Sequence, residues 1–108
     1  MAKVEQTIKA GICGFTTKLA ASSDDGETVK FVVESDCPNI QTLAEALPEV
    51  DAYGELGAGY DGEIWTAARS SVMRCCVGCA VPVGLYKAMQ VAAGLALPAD
   101  VSLSFEKK

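Results

Sequence analysis

Three stretches of alternating apolar and polar residues occupy the first third of the chain and constrain its fold more than any other feature. Alternation with a period of two is typical of strands that have one face toward a core. It runs through residues 3–10, 15–21 and 29–33, and turn residues at 22–26 separate the second stretch from the third. Because the connections are short, the pattern predicts an antiparallel meander.

The middle of the chain has helical spacing. Pro38 precedes apolar residues at i, i+3, i+4 and i+7, which predicts a short amphipathic helix that ends near Pro48. A second helix is predicted over residues 61–73. A third begins at Pro82 and ends before Gly94, which is a residue typical of helix ends.

Between the first two helices, residues 50–56 predict a short strand or turn. Four glycines then predict a loop, and they are Gly54, Gly57, Gly59 and Gly62. At the end of the chain, Val101, Leu103 and Phe105 alternate with polar residues and predict a closing strand.

The order of these elements predicts the α+β class. We expect a mostly antiparallel sheet of about four strands, formed by the N-terminal meander and the C-terminal strand, with two to three helices on one face. A length of 108 residues predicts a single domain over 1–108.

The net charge of the chain limits the classes of partner that it is expected to bind. The net charge is −5, and the nine Lys and Arg residues are scattered, which argues against binding to nucleic acid or to an anionic membrane. The apolar stretch 75–99 contains Lys87 and two prolines, so it is not predicted to span a membrane. The classes of partner that stay open are another protein and, in a homodimer, a second copy of this chain. Small residues such as Gly84 and Ala88 permit close helix packing within or between chains.

The N-terminal sequence indicates the cellular compartment in which we expect the protein. Residues 1–14 contain no apolar segment of the kind found in signal peptides, so we expect a cytoplasmic protein. In a reducing compartment, five cysteines are expected to be free, metal-bound or catalytic rather than paired in structural disulfides.

The chain has five cysteines and no histidine, so any metal site would have sulfur ligands. Three cysteines lie at or just before predicted element ends, and they are Cys13, Cys37 and Cys79. Cys76 forms a CxxC motif with Cys79 and is the expected fourth member. Thiolates bind zinc at about 2.3 Å and also hold iron–sulfur clusters. Our first hypothesis is that these four cysteines bind zinc or an iron–sulfur cluster. Adjacent cysteines do not easily face one site, so Cys75 is interpreted as a bystander.

Two other interpretations of the cysteines stay open. Cys76 and Cys79 form a CxxC motif upstream of a helix start, where a thiolate is stabilised, and this favours a thiol/disulfide redox protein. Alternatively, the cysteines are packed as small apolar side chains in a non-catalytic interaction module. Without histidine, a Ser-His-Asp triad and a Cys-His protease are both excluded, and we assign no catalytic residue.

Several motifs resemble those of a family of short prokaryotic proteins of unknown function. They are Cys13-Gly14-Phe15-Thr16-Thr17, Cys37-Pro38-Asn39-Ile40 and Cys79-Ala80-Val81-Pro82, followed by Lys87-Ala88 and Gly94-Leu95-Ala96-Leu97-Pro98. More distantly, the cysteine placement is similar to that of cysteine-rich domains named for a Thr-Ser-Cys-Pro-Asp motif, although that motif itself is absent. This similarity implies that Cys13, Cys37 and Cys79 belong together, with Cys76 as a fourth member.

Overall fold

The structure, a computed structural model, describes residues 2–107 except for the side chain of Cys75. Its elements, in chain order, are β1 (Ala2–Lys9), β2 (Thr16–Ser23), β3 (Thr28–Ser35), α1 (Pro38–Ala46), β4 (Glu49–Asp51), α2 (Ala52–Ala58), a 3₁₀ helix (Gly59–Asp61), α3 (Glu63–Ser71), a second 3₁₀ helix (Arg74–Gly78) and α4 (Val81–Ala92). Within this described part of the chain, no helix is both long and apolar enough to cross a membrane.

The four strands form one antiparallel sheet in the order β1-β2-β3-β4. The predicted α+β class and the N-terminal meander are therefore confirmed. In the register of the meander, Ala21 of β2 lies opposite Val4 of β1 and Phe31 of β3. These residues share one face of the sheet, because residues directly opposite one another on neighbouring strands have their side chains on the same side.

The fourth strand of the sheet is not the predicted C-terminal strand but β4, which overlaps the start of the segment 50–56 that was predicted as a short strand or turn. Strand β4 pairs with β3, with Val50 opposite Val29, and both side chains are buried. Residues 97–107, which include the predicted closing strand, have no regular secondary structure. Alternation shows that a segment has two different faces, but a strand also has to pair with a sheet edge, and the described residues at the end of the chain pair with none.

The glycine loop was also predicted wrongly, because Gly54 and Gly57 lie inside helix α2. Asp51 caps this helix: its carboxylate accepts a hydrogen bond from the Tyr53 N–H at 3.2 Å. A cap of this kind stabilises a helix start by about 1 kcal/mol. Over residues 2–107 the chain therefore has four α-helices, where two to three were predicted.

The core lies between one face of the sheet and the helices. Helix α4 packs on β1 and β2, and α1 packs on β3. Buried side chains recur at alternate strand positions and along the inner helix faces, and the most completely buried include Ala21, Val29, Leu43, Ile64, Val81 and Met89. This packing fixes the start of α1 and the start of α4 relative to the meander.

Helix α4 approaches strand β1 closely at Gly84. A Cβ atom at this position would overlap the Cδ1 atom of Ile8 and lie 2.9 Å from the Oε1 atom of Gln6. Gly84 therefore permits close packing within the chain. Both Gly84 and its neighbour Leu85 are buried.

We expect Gly84→Leu to lower the free energy of unfolding by about 1–3 kcal/mol, because an added side chain overpacks this contact. Gly57→Leu is the matched control, since a Cβ there meets no atom within 4 Å. The free energy of unfolding of this control should rise by about 0.5–1 kcal/mol, because the substitution removes a glycine from the interior of a helix. Urea denaturation of both variants measures the difference, and a Gly84→Leu protein as stable as the unaltered chain would contradict the close contact.

Candidate metal-binding site

Cys13 lies in the tight turn that joins β1 to β2. Gly11 and Gly14 have φ angles of 97° and 76°, and the Gly14 N–H donates to the Gly11 carbonyl oxygen at 2.9 Å. Positive φ angles favour glycine, so the flanking glycines allow this turn to close. The Cys13 side chain is exposed.

Cys37 follows strand β3 and is the residue before the first turn of α1. Its N–H donates to the Ser35 Oγ atom at 3.2 Å, and Pro38 is the first helical residue. The thiol is half-buried.

Cys76 lies in the second 3₁₀ helix, Arg74–Gly78, which we call the cysteine turn, and Cys79 directly follows it. The Cys79 N–H donates to the Cys76 carbonyl oxygen at 2.9 Å. This bond from residue i+3 to residue i closes one turn of 3₁₀ geometry, so Cys76 and Cys79 are one turn apart. Both thiols are half-buried.

These segments, distant in sequence, lie near one another. The Asn39 amide in the first turn of α1 donates to the Cys76 sulfur at 3.6 Å, which joins the cysteine turn to the start of that helix. The Cys79 thiol also interacts electrostatically with the thiols of Cys13, Cys37 and Cys76. The hairpin turn, the start of α1 and the cysteine turn are thus gathered around Cys79.

The Cys79 thiol resists ionisation. Burial raises its pKa above the ordinary value, the Val81 N–H opposes this by hydrogen bonding, and the negative charges of the other three thiolates raise the pKa further. Like charges that share a site disfavour one another's ionised forms. A cation at this position would remove that repulsion.

The sulfurs are not arranged as a finished coordination shell. Across the described side chains, no three Cys, Asp or Glu residues form a group that could hold a metal ion, and Cys13, Cys37, Cys76 and Cys79 are all free thiols. Tetrahedral ligation at about 2.3 Å requires sulfurs roughly 3.8 Å apart. Metal binding would therefore need the sulfurs to move closer together. The side chain of Cys75 lies outside the described part, so its interpretation as a bystander stays a prediction.

Sequence reasoning missed the role of Glu55, a buried carboxylate that is only 3% exposed. Its Oε2 and Oε1 atoms accept hydrogen bonds from the N–H groups of Glu63 and Ile64, both at 2.7 Å. A Cβ on Gly62 would lie 2.6 Å from Oε2, so glycine leaves room for this carboxylate. Glu55 therefore caps helix α3 from eight residues upstream, and no local motif signals such a contact.

Alkylation should distinguish the thiols in metal-free protein. At pH 8, we expect iodoacetamide to modify the exposed Cys13 first and Cys79 more slowly, because the raised pKa leaves less Cys79 thiolate. The pKa of Cys79 is higher in the folded chain than in the unfolded chain, so folding favours the protonated thiol. The stability that this thiol contributes is fully present below its unfolded pKa and is lost as the pH rises through its folded pKa. Peptide mass spectrometry measures the rates, with urea-unfolded chain as the control. Equal rates for the two folded thiols would contradict this arrangement.

Comparison with known proteins places the chain in a defined group. A family model described as "Family of unknown function (DUF6951)" matches residues 4–105. No curated protein and no solved structure matches the chain. The similarity to the domains with a Thr-Ser-Cys-Pro-Asp motif stays a prediction.

Proposed function

Since the chain belongs to the family of unknown function DUF6951, its activity has to be inferred from its own residues, and we propose that it binds a zinc ion or an iron–sulfur cluster through Cys13, Cys37, Cys76 and Cys79. One contact carries the proposal: the Asn39 amide donates to the Cys76 sulfur at 3.6 Å and so brings the cysteine turn to the helix start that holds Cys37. In agreement with this contact, the charges of Cys13, Cys37 and Cys76 help to raise the pKa of Cys79.

The donor chemistry supports a thiolate-binding metal. The chain has no histidine, so soft sulfur atoms are the ligands that this site offers, and such ligands select zinc and iron–sulfur clusters. Hydrogen bonds to the sulfurs are already in place, from the Asn39 amide to Cys76 and from the Val81 N–H to Cys79. Outer partners of this kind hold ligands in position and tune a metal centre.

A metal at this position would join three parts of the fold. The ligands would come from the β1–β2 turn, the start of α1 and the segment before α4, so binding would link the meander to both helices. Metal binding of this kind adds to folding free energy, because the assembled site does not exist in the unfolded chain. The proposed role is therefore structural, and no catalytic residue is assigned.

The redox hypothesis has one observation in its favour, the hydrogen bond from the Cys79 N–H to the Cys76 carbonyl oxygen, which closes a tight turn between the two cysteines. The raised pKa of Cys79 is compatible with both functions, because the attacking thiol in a redox CxxC motif is the first cysteine, here Cys76. Metal binding is preferred because a redox pair would not use Cys13 and Cys37, whose charges also act on the Cys79 thiol. A reduced, metal-free chain that forms a Cys76–Cys79 disulfide in a glutathione buffer, and that purifies without metal, would favour this second function.

Anaerobic purification, followed by elemental analysis and assay of acid-labile sulfide, tests the proposal. We expect either about one zinc per chain without sulfide, or iron and sulfide in equal amounts, as in thiolate-bound clusters. An iron–sulfur cluster should also lose its visible absorbance in air. Zinc and iron both far below one equivalent per chain, after growth with both metals supplied, would contradict metal binding.

A further inference from the structure

The end of the chain exposes apolar side chains in a pattern typical of a strand. In the C-terminal tail, which we define as residues 95–107, Val101, Leu103 and Phe105 are 61%, 80% and 95% exposed. Polar Ser102 and Ser104 alternate with them. The tail therefore has one apolar and one polar side, but its residues 99–105 are not paired in the sheet that the structure describes.

Strand β1 provides a free sheet edge, because it is the first strand in the order β1-β2-β3-β4. The Ala10 N–H donates to the Phe15 carbonyl, in the same register as the β1–β2 ladder. In an antiparallel pair, alternate residues bond across the ladder, so even-numbered β1 residues face β2. The backbone groups of Thr7 and Lys9 point to the open edge, and such edges recruit further strands.

A groove of about 1250 Å³ lies beside this edge, between β1, α4 and the tail. Ile8, Val83, Leu97 and Val101 contribute apolar lining, and Lys9 and Lys87 contribute positive charge. The tail of the same chain forms one wall, yet its apolar side chains remain exposed. Within a single chain, the groove and the tail are thus adjacent but not packed together.

We propose that two copies of this chain form a dimer by exchanging tails, so that residues 99–105 of each copy pair with the β1 edge of the other. Each copy has both the donor strand and the acceptor edge, and a two-fold axis satisfies both pairs at once and closes the assembly. The apolar side of the tail would cover the groove, and the Asp100 carboxylate would enter a region that contains Lys9 and Lys87.

The first test measures mass by light scattering and sedimentation over 10–100 µM chain, in both metal-loaded and chelated samples, because the cysteines take no part. We expect a dimer, and we expect Leu103→Glu and Thr7→Pro to raise its dissociation constant more than 10-fold. Proline at Thr7 removes an N–H that faces the open edge and breaks no bond to β2. Ser104→Glu is the matched control on the polar side of the tail and should remain dimeric. Circular dichroism verifies that each variant is folded.

Mixing the two disruptive variants separates exchange between copies from pairing of a tail with its own β1. The Thr7→Pro chain keeps an intact tail and the Leu103→Glu chain keeps an intact edge, so one exchanged pair remains available and the mixture should form heterodimers. Two results would overturn the proposal: a monomeric unaltered chain at 100 µM, or dimers that persist in both folded variants. Absence of heterodimers in the mixture would overturn it as well, in favour of pairing within one chain.

Discussion

Cys37→Ser is expected to reduce the metal content of the purified chain to about a tenth or less of that of the unaltered chain. Serine keeps the size of the side chain but offers a hydroxyl that is not ionised near neutral pH, where a thiolate ligand would bind. Loss of an outer partner alone weakens metal binding about 10–100-fold, so loss of a direct ligand should weaken it at least that much. Elemental analysis after matched purifications provides the measurement.

The controls for this substitution come from the other cysteines. Cys75→Ser should retain full metal content, because Cys75 is the cysteine interpreted as a bystander. A chain with Cys13→Ser, Cys37→Ser and Cys79→Ser together should bind no metal and should have a lower melting temperature than the metal-loaded chain. If this triple variant keeps both the metal content and the melting temperature of the unaltered chain, the cysteines are packed side chains and the protein is better described as an interaction module.

Glu55→Ala is expected to destabilise the protein by about 3 kcal/mol or more. The substitution leaves the N–H groups of Glu63 and Ile64 without their acceptor, and hydrogen bonds to a charged group contribute about 1.5–3 kcal/mol each. Since small domains have unfolding free energies of about 5–15 kcal/mol, this is a large fraction of the total. Chemical denaturation monitored by Trp65 fluorescence measures the loss.

Two further variants make the Glu55 result specific. Glu55→Gln keeps one acceptor oxygen but places an amide NH₂ against the second N–H donor, so an intermediate loss is expected. Glu63→Gln alters an exposed carboxylate in the first turn of the same helix and should change stability by less than about 1 kcal/mol. A Glu55→Ala protein as stable as Glu63→Gln would show that the cap contributes little.

The parts of the fold that depend on local pattern could be predicted from sequence. Alternation placed the three-stranded meander correctly, and the Pro38 and Pro82 signals placed the starts of α1 and α4. Alternation at Val101–Phe105 was misleading, because a periodic pattern carries no information about which edge accepts the strand. Strand β4 is only three residues long, too short for a clear period.

In the candidate site, too, the residues could be predicted from local sequence, whereas the contacts between distant segments could not. Residue type and element ends singled out the four cysteines, because histidine is absent and thiols concentrate at turns and helix starts. The bond from Asn39 to the Cys76 sulfur depends on how α1 and the cysteine turn pack, and the Glu55 cap depends on how α2 turns back toward α3. Neither contact has a local sequence pattern, so only the folded structure reveals them.

X-ray absorption spectroscopy on the metal-loaded chain tests metal binding by the cysteines most directly, because it reports the atoms that surround the metal. We expect a first shell of four sulfur atoms at about 2.3 Å, and a reduced sulfur count in Cys37→Ser. A first shell of nitrogen or oxygen at about 2.0–2.2 Å, unchanged by Cys37→Ser, would contradict a site built from Cys13, Cys37, Cys76 and Cys79.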